Sequence, residues 1–504
     1  MSAITLAEFT HLLSVCRPPP GWGKSITVAL SGGPDSICLL SLLQRARLGP
    51  PLSSIIIDHS LQSTSRDSAL RTRARSEAIG VPGVILPAEW NRGKPREGEA
   101  VEEVARDARY RALWRGLQVG GGGGTVMFGH HADDQLETVI MRVLRGTGTY
   151  GLGGMRAVRR WGWVDEGGQG TTRFGPSRTS GLGTDHPLRG MQTYISRPLL
   201  TIPKERILAT CHTHNLEYEQ DLTNFMPDLT VRNAVRHALT RASRPMHGAF
   251  PTHMNHGTIS PSGHSFILAD KPASADGIQT AINHVHTLAG GTGNLDLNLM
   301  RAYVEKMSAR VRQVDELVTD YLRAHTRLSP PSTLLLVPPR QHQMKQDTAH
   351  ALVYRILRYV SPHPWGTPES EAHRRRTSAE RIVQRVLQEQ EEGEQVASFC
   401  AGAQVLWSPI WVRSNGSIRV RRAGEESGGR MRAWLASRQP PTTSLERKVH
   451  PGEIVWDNRF LVRVPDGPDL VVRPRGRFIL PQLVQDERVV DACGVEFIRE
   501  SSAI

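Results

Sequence analysis

Short runs of aliphatic and β-branched residues, Ile26–Leu30, Ile55–Ile57, Val84–Leu86 and Val126–Phe128, alternate with segments of helical period. The intervening segments are Ser36–Arg47, Ser65–Ile79, Glu99–Leu117 and Asp133–Arg145. Runs this short and this continuously apolar read as strands buried on both faces of a parallel sheet. Repeated strand–helix units close into an open α/β sheet with helices on both faces. In such sheets ligands sit outside the carboxyl ends of the strands, so chemistry belongs in the strand-to-helix loops.

The first of those loops is Ser31-Gly32-Gly33-Pro34-Asp35-Ser36. A strand, a glycine turn and a helix N-terminus form an anion site, because backbone N–H groups and the helix dipole converge on one spot. Gly32 and Gly33 allow close approach of phosphate oxygens, and Ser31 and Ser36 offer hydroxyls. Asp35 would repel phosphate, which calls for a bridging cation such as Mg²⁺. An ordinary turn with Ser36 or Asp35 as N-cap is the plainer alternative. Gly23-Lys24-Ser25 imitates the end of a Walker A loop, but position 18 is Pro18 where that motif needs glycine.

The loop, in its place after the first strand, resembles the PP-loop ATP pyrophosphatases. Their activity is to split ATP into AMP and pyrophosphate, activating a carbonyl-type oxygen that a nucleophile then displaces as AMP. Further segments resemble one branch, the tRNA(Ile)-lysidine synthases. Asp58-His59-Ser60-Leu61 is similar to an Asp-His-Gly-Leu segment, with Ser60 in place of the usual glycine. Arg106, Arg109 and Tyr110 stand about one helical turn apart on a similar Ala-Arg-x-x-Arg-Tyr helix. Gly129-His130-His131-Ala132-Asp133-Asp134-Gln135-Leu136-Glu137-Thr138 resembles the branch's Gly-His-x-x-Asp-Asp-x-x-Glu-Thr block. Asp134 and Glu137, at i and i+3, put two carboxylates on one helix face. Arg197-Pro198-Leu199-Leu200, Asp221-Leu222-Thr223-Asn224 and Arg232-Asn233-Ala234-Val235-Arg236 complete the order.

The resemblance implies an open, mostly parallel PP-loop sheet, Rossmann-like, over residues 1–242. It implies a ligase that joins lysine to C2 of the wobble cytidine in the CAU anticodon of tRNA(Ile) through an adenylated intermediate. Ser31, Gly32, Gly33, Pro34, Asp35, Ser36, Asp58 and His59 would bind ATP, and Asp35 would hold Mg²⁺. Asp35, His130, Arg109 and Arg232 would carry the catalysis, and Asp134 with Glu137 would take the ammonium of free L-lysine. Another PP-loop tRNA modifier, such as a thiolase, and a tRNA-binding relative without catalysis are the competing readings. The five cysteines form no CxxC pair, which counts against the thiolase.

The rest of the chain reads as a low-complexity insertion at 243–294, a helical accessory domain at 295–395 and a small strand-rich basic domain at 396–504. Gly120–Gly124, Arg156–Gly190 and Ser243–Asn294 are expected to be loops, since they lack the apolar density to offset chain ordering. Met300, Val304, Met307, Val311, Val314, Val318 and Tyr321 predict a long amphipathic helix. Trp456-Asp457-Asn458-Arg459-Phe460 fits the branch's accessory domains in outline.

Charge supports a polyanionic partner. The 504 residues hold 62 Lys+Arg against 49 Asp+Glu, a net of +13. Residues 1–250 carry +8 of this and residues 401–450 carry +6, two separate regions that suit a long polyanion such as tRNA. No apolar run reaches the roughly 18 residues of a membrane span, so no membrane association is expected. The N-terminal segment reads as neither a secretory signal nor a good transit peptide. A soluble intracellular setting follows, in the mitochondrial matrix if the source is eukaryotic and otherwise in the cytoplasm. A homodimer is left open.

Overall fold

A computed structural model describes residues 2–61, 63–88, 90, 101–119, 124–162, 187–219, 230–242, 266–268, 271–327, 332–338, 344–365, 369–370, 376–388, 397–421, 430–476, 480–490 and 494–499. The chain divides into two units, one running through Val311 and the other from Arg312 onward.

The first unit is built on β1 (Ile26–Ala29), β2 (Leu52–Asp58), β3 (Gly83–Pro87), β4 (Thr125–Met127), β5 (Val158–Arg160) and β6 (Tyr194–Ser196). Their order in the sheet is β3-β2-β1-β4-β6-β5. All neighbours are parallel except β5, which runs antiparallel to β6 at the edge. The order reverses between β1 and β4, and Ile26 pairs with Thr125 across that seam. The loops after these two strands therefore open into one crevice, the position where an α/β sheet binds its ligand.

The helices are α1 (Leu6–Val15), α2 (Pro34–Ala46), α3 (Ser65–Ala78), α4 (Val101–Val119), α5 (Ala132–Leu144), α6 (Pro187–Gln192), α7 (Lys204–Thr213), α8 (Val231–Ala242), α9 (Ala275–Leu288) and α10 (Leu297–His325). Phe9, Leu13, Ile37, Leu40 and Ile207 from α1, α2 and α7 join Val28 and Leu30 in one core. A second core gathers Leu136, Val139 and Ile140 of α5 with Val235, Ile282, Met300 and Val304.

That second core corrects two expectations. Ser243–Asn294 is not loop throughout, because α9 lies inside it. Ile278, Ile282 and Val285 recur at helical spacing, Ser274 caps the helix by accepting from the Gly277 N–H, and the buried face packs on α5 and α8. Nor does the first unit end at 242, since Met300 and Val304 of α10 belong to its core and the division falls inside that helix. Residues 120–123, 163–186 and 243–265, expected as loops, and the Asp221–Asn224 turn lie outside the described residues.

In the second unit, Val405–Val412 runs antiparallel to Met431–Arg438, and Leu334–Leu336 pairs with the far edge of the latter. The hairpin Gly452–Trp456 and Phe460–Val464 turns through Asp457 and Asn458, both at positive φ (51° and 52°), a conformation Asp and Asn tolerate. The buried Asp457 carboxylate accepts from Arg438 Nε at 2.8 Å and from Arg459 Nη2 at 2.6 Å. Arg499 donates to the carbonyls of Arg358, Ser361, His363 and Asn458. The aromatic-flanked segment at 456–460 thus knots the unit through charge and backbone. No helix among the described residues is long and apolar enough to cross a membrane.

Candidate active site

Two loops meet at the β1/β4 seam. In Ser31–Ser36, Gly32 holds a φ of +85°, and the Glu219 N–H donates to its carbonyl at 2.9 Å. Ser36 Oγ accepts from the Ser31 N–H at 3.2 Å and donates to the Gly33 carbonyl at 3.1 Å, so this buried hydroxyl braces the loop. Gly33 is the N-cap of α2, and Pro34 begins the helix, where its missing N–H costs nothing. Gly129, at the end of β4, lies so close that a Cβ there would fall 2.8 Å from the Asp35 carbonyl. Glycine at 129 is what lets the two loops touch.

His131 is the N-cap of α5. Its Nδ1 accepts from the Asp133 N–H at 3.2 Å, and Asp134 accepts from the His131 N–H at 3.0 Å. The His131 Nε2 is 3.6 Å from Asp35 and 3.5 Å from Asp134, so the acid of the first loop meets the block of the second. Lys204, the first residue of α7, places its ammonium 2.6 Å from Asp35 Oδ1, and its N–H donates to Asp133. Asp133 also receives Arg301 of α10, which reaches Glu205 as well.

The carboxylate pair is already counter-charged. Arg236 donates to both oxygens of Glu137 at 2.7 and 3.0 Å, and Arg232 stands 3.8 Å from Glu137 and 3.9 Å from Asp134. Burial raises the Glu137 carboxyl despite Arg236. Burial works in the same sense on Asp134, but the His131 and His130 imidazoles, Arg232 and the His131 N–H hold it well below the usual carboxylate range. Two guanidiniums thus face two carboxylates, of which Asp134 is held in its ionised form.

Behind the seam, His130 stacks on Phe128 at 5.4 Å, and Phe128 on Tyr110 at 5.8 Å. Burial first, then Arg197, push the His130 imidazole well below its ordinary value. Burial would raise the Tyr110 phenol, but Arg106, Arg159, Arg197 and Arg109 together pull it down to about 7. Arg109 therefore acts on both Tyr110 and His130 from α4.

At the neighbouring strand end, Asp58 accepts from the Ser60 N–H at 2.9 Å and from its hydroxyl at 3.2 Å, which fixes its own turn. Ser60 sits at φ +49°, which accounts for the glycine usual there. The His59 carbonyl accepts from Trp90 Nε1. Asp35, His130, Asp134, Glu137 and Arg232 thus gather at the crevice, whereas Asp58 and Ser36 are engaged in shaping loops. Lys204, Arg197 and Arg301 had no role in the sequence reading. Lys204 left one signal: a cation at a helix N-terminus opposes the dipole and needs an acidic partner.

Residues 9–243, a little under half of the chain, match the family model of the PP-loop domain. The chain is 35% identical over 209 residues to a tRNA(Ile)-lysidine synthase from a Bradyrhizobium species, covering 41% of this chain and 49% of that one. It is 37% identical over 241 residues to the tRNA(Ile)-lysidine synthase of Alkalilimnicola ehrlichii, covering 47% and 44%. A probable tRNA(Ile)-lysidine synthase of Schizosaccharomyces pombe is 30% identical over 246 residues, covering 48% and 49%. The matches span about half the length of these relatives.

Proposed function

We propose that the chain is a tRNA(Ile)-lysidine synthase, a ligase that uses ATP and free L-lysine to modify the wobble cytidine of a CAU anticodon. The observation that carries this reading is the meeting of the Ser31–Ser36 loop with the His130–Glu137 block at the β1/β4 seam. O2 of the cytidine attacks the α-phosphorus of ATP and pyrophosphate leaves. The lysine ε-amine then attacks C2, loses a proton and expels AMP, which carries O2 away. An amide-like oxygen is a poor leaving group, and adenylation makes it a good one.

The loop backbone and the α2 N-terminus suit the triphosphate. Arg109 and Arg232 suit the charge that develops on phosphate oxygens. Asp35 offers a hard carboxylate oxygen, which fits Mg²⁺ held by one side chain plus substrate phosphates. That oxygen is paired with Lys204, whose ammonium would have to release Asp35 for the carboxylate to hold Mg²⁺. Asp134, firmly ionised among cations, suits the lysine ammonium, and Glu137 orients Arg236 and Arg232 beside it.

The deciding experiment is mass spectrometry of the anticodon nucleoside after incubating unmodified tRNA(Ile) with ATP and isotope-labelled lysine. A labelled lysine adduct on the wobble cytidine is expected. Its absence, with ATP–pyrophosphate exchange still present, would assign the domain to a different acceptor.

A further inference from the structure

His130 is held from behind. Arg197, the residue after β6, is buried at 4% exposure. Its Nε donates to His130 Nδ1 at 3.1 Å, and its Nη1 donates to the Arg156 carbonyl at 2.9 Å. The guanidinium also lies 5.9 Å from the Phe128 ring centre. Its main chain is fixed too, since its N–H donates to the Ala157 carbonyl at 2.9 Å.

A guanidinium has donors and no acceptor. An imidazole nitrogen that receives one of its N–H groups must present a lone pair, so the ring proton of His130 can only sit on the other nitrogen. We propose that Arg197 is a positioning residue that fixes His130 with its proton on Nε2, so that His130 meets the substrate as a hydrogen-bond donor and not as a base. This rests on the proposed reaction for the identity of the group that receives the bond, a phosphate or pyrimidine oxygen. It also assigns the proton lost by the attacking amine to an acceptor other than His130.

The charged surroundings agree. Arg197 from beyond β6, Arg232 from α8 and Arg109 from α4 all oppose a second proton on the ring, and Asp134 from α5 favours one. Burial acts with the arginines. An arginine in this role keeps its charge at every working pH, so the arrangement does not switch off as the solution turns mildly acidic.

The test uses the full chain with ¹⁵N-labelled histidine, the His130 signals being identified by their loss in His130→Gln. Long-range proton–nitrogen spectra should show a protonated Nε2 and an unprotonated Nδ1 that stay unchanged from pH 8 to pH 5. In Arg197→Gln, His130 should begin to titrate inside that range, and kcat should fall roughly 100-fold, more than the KM for ATP rises. Arg197→Lys keeps the charge and should hold the ring neutral with its tautomer mixed. A wild-type His130 protonated on Nδ1, or titrating like a free imidazole near 6.5, overturns the proposal. If Arg197→Gln does not fold, the wild-type spectra decide. Because they need neither tRNA nor lysine, their outcome is separate from that of the lysidine assay.

Discussion

Lys204 stands where the α7 dipole disfavours a cation, and the 2.6 Å contact to Asp35 explains why it is tolerated there. Removing the ammonium leaves the carboxylate open to a metal. Lys204→Met should therefore raise the affinity for Mn²⁺ or Mg²⁺ in the absence of nucleotide by up to about fivefold, the worth of a part-exposed ion pair, as read by titration calorimetry. A second consequence concerns Tyr110. Of the eight tyrosines, one should ionise near pH 7, seen as tyrosinate absorbance at 295 nm and absent in Tyr110→Phe. An unfolded phenol ionises near 10. This group's contribution to stability is therefore fully present above pH 10 and is lost as pH falls through 7.

Among the elements, the seam between β4 and α2 depends on one missing Cβ. Gly129→Ala should push the Asp35 backbone away, costing about 1–3 kcal/mol in denaturant unfolding and most of the turnover, with the far-ultraviolet spectrum preserved. Four of the six strands were legible in the sequence because buried strands and helical spacing are local patterns, whereas the three-residue β5, inside the expected loop Arg156–Gly190, and β6 were too short to show one. The two loops were legible because their residues are adjacent in sequence. α9 was missed because its His, Thr and Asn residues resembled the polar stretch before it, and only the spacing of Ile278, Ile282 and Val285 told otherwise. Ile282→Ala should destabilise the first unit by about 2–4 kcal/mol, where a loop residue would cost almost nothing. The roles of Arg197, which the sequence showed only as the head of a motif, and of Lys204 and Arg301 were hidden for a different reason. Their partners lie 67 to 169 residues away, and no local pattern announces a pairing across that distance.

For the whole molecule, the two basic regions make a joint prediction. Affinity for tRNA should fall steeply with salt, and each lost phosphate contact should flatten the log–log slope by about 0.9. Neutralising the exposed Arg413 and Arg419 to Gln should raise the KM for tRNA and leave that for ATP unchanged, in parallel filter-binding and exchange assays. The knot at Asp457 bears on a separate matter, the order in which the protein is made. Arg499 closes onto the carbonyl of Arg358, 141 positions earlier, and a ribosome delivers the earlier partner first. The second unit must wait, with Arg438, Asp457 and Arg459 already emerged, until its last strand has been translated. Premature termination upstream of Arg499 should therefore yield a finished first unit joined to an unclosed, protease-sensitive tail.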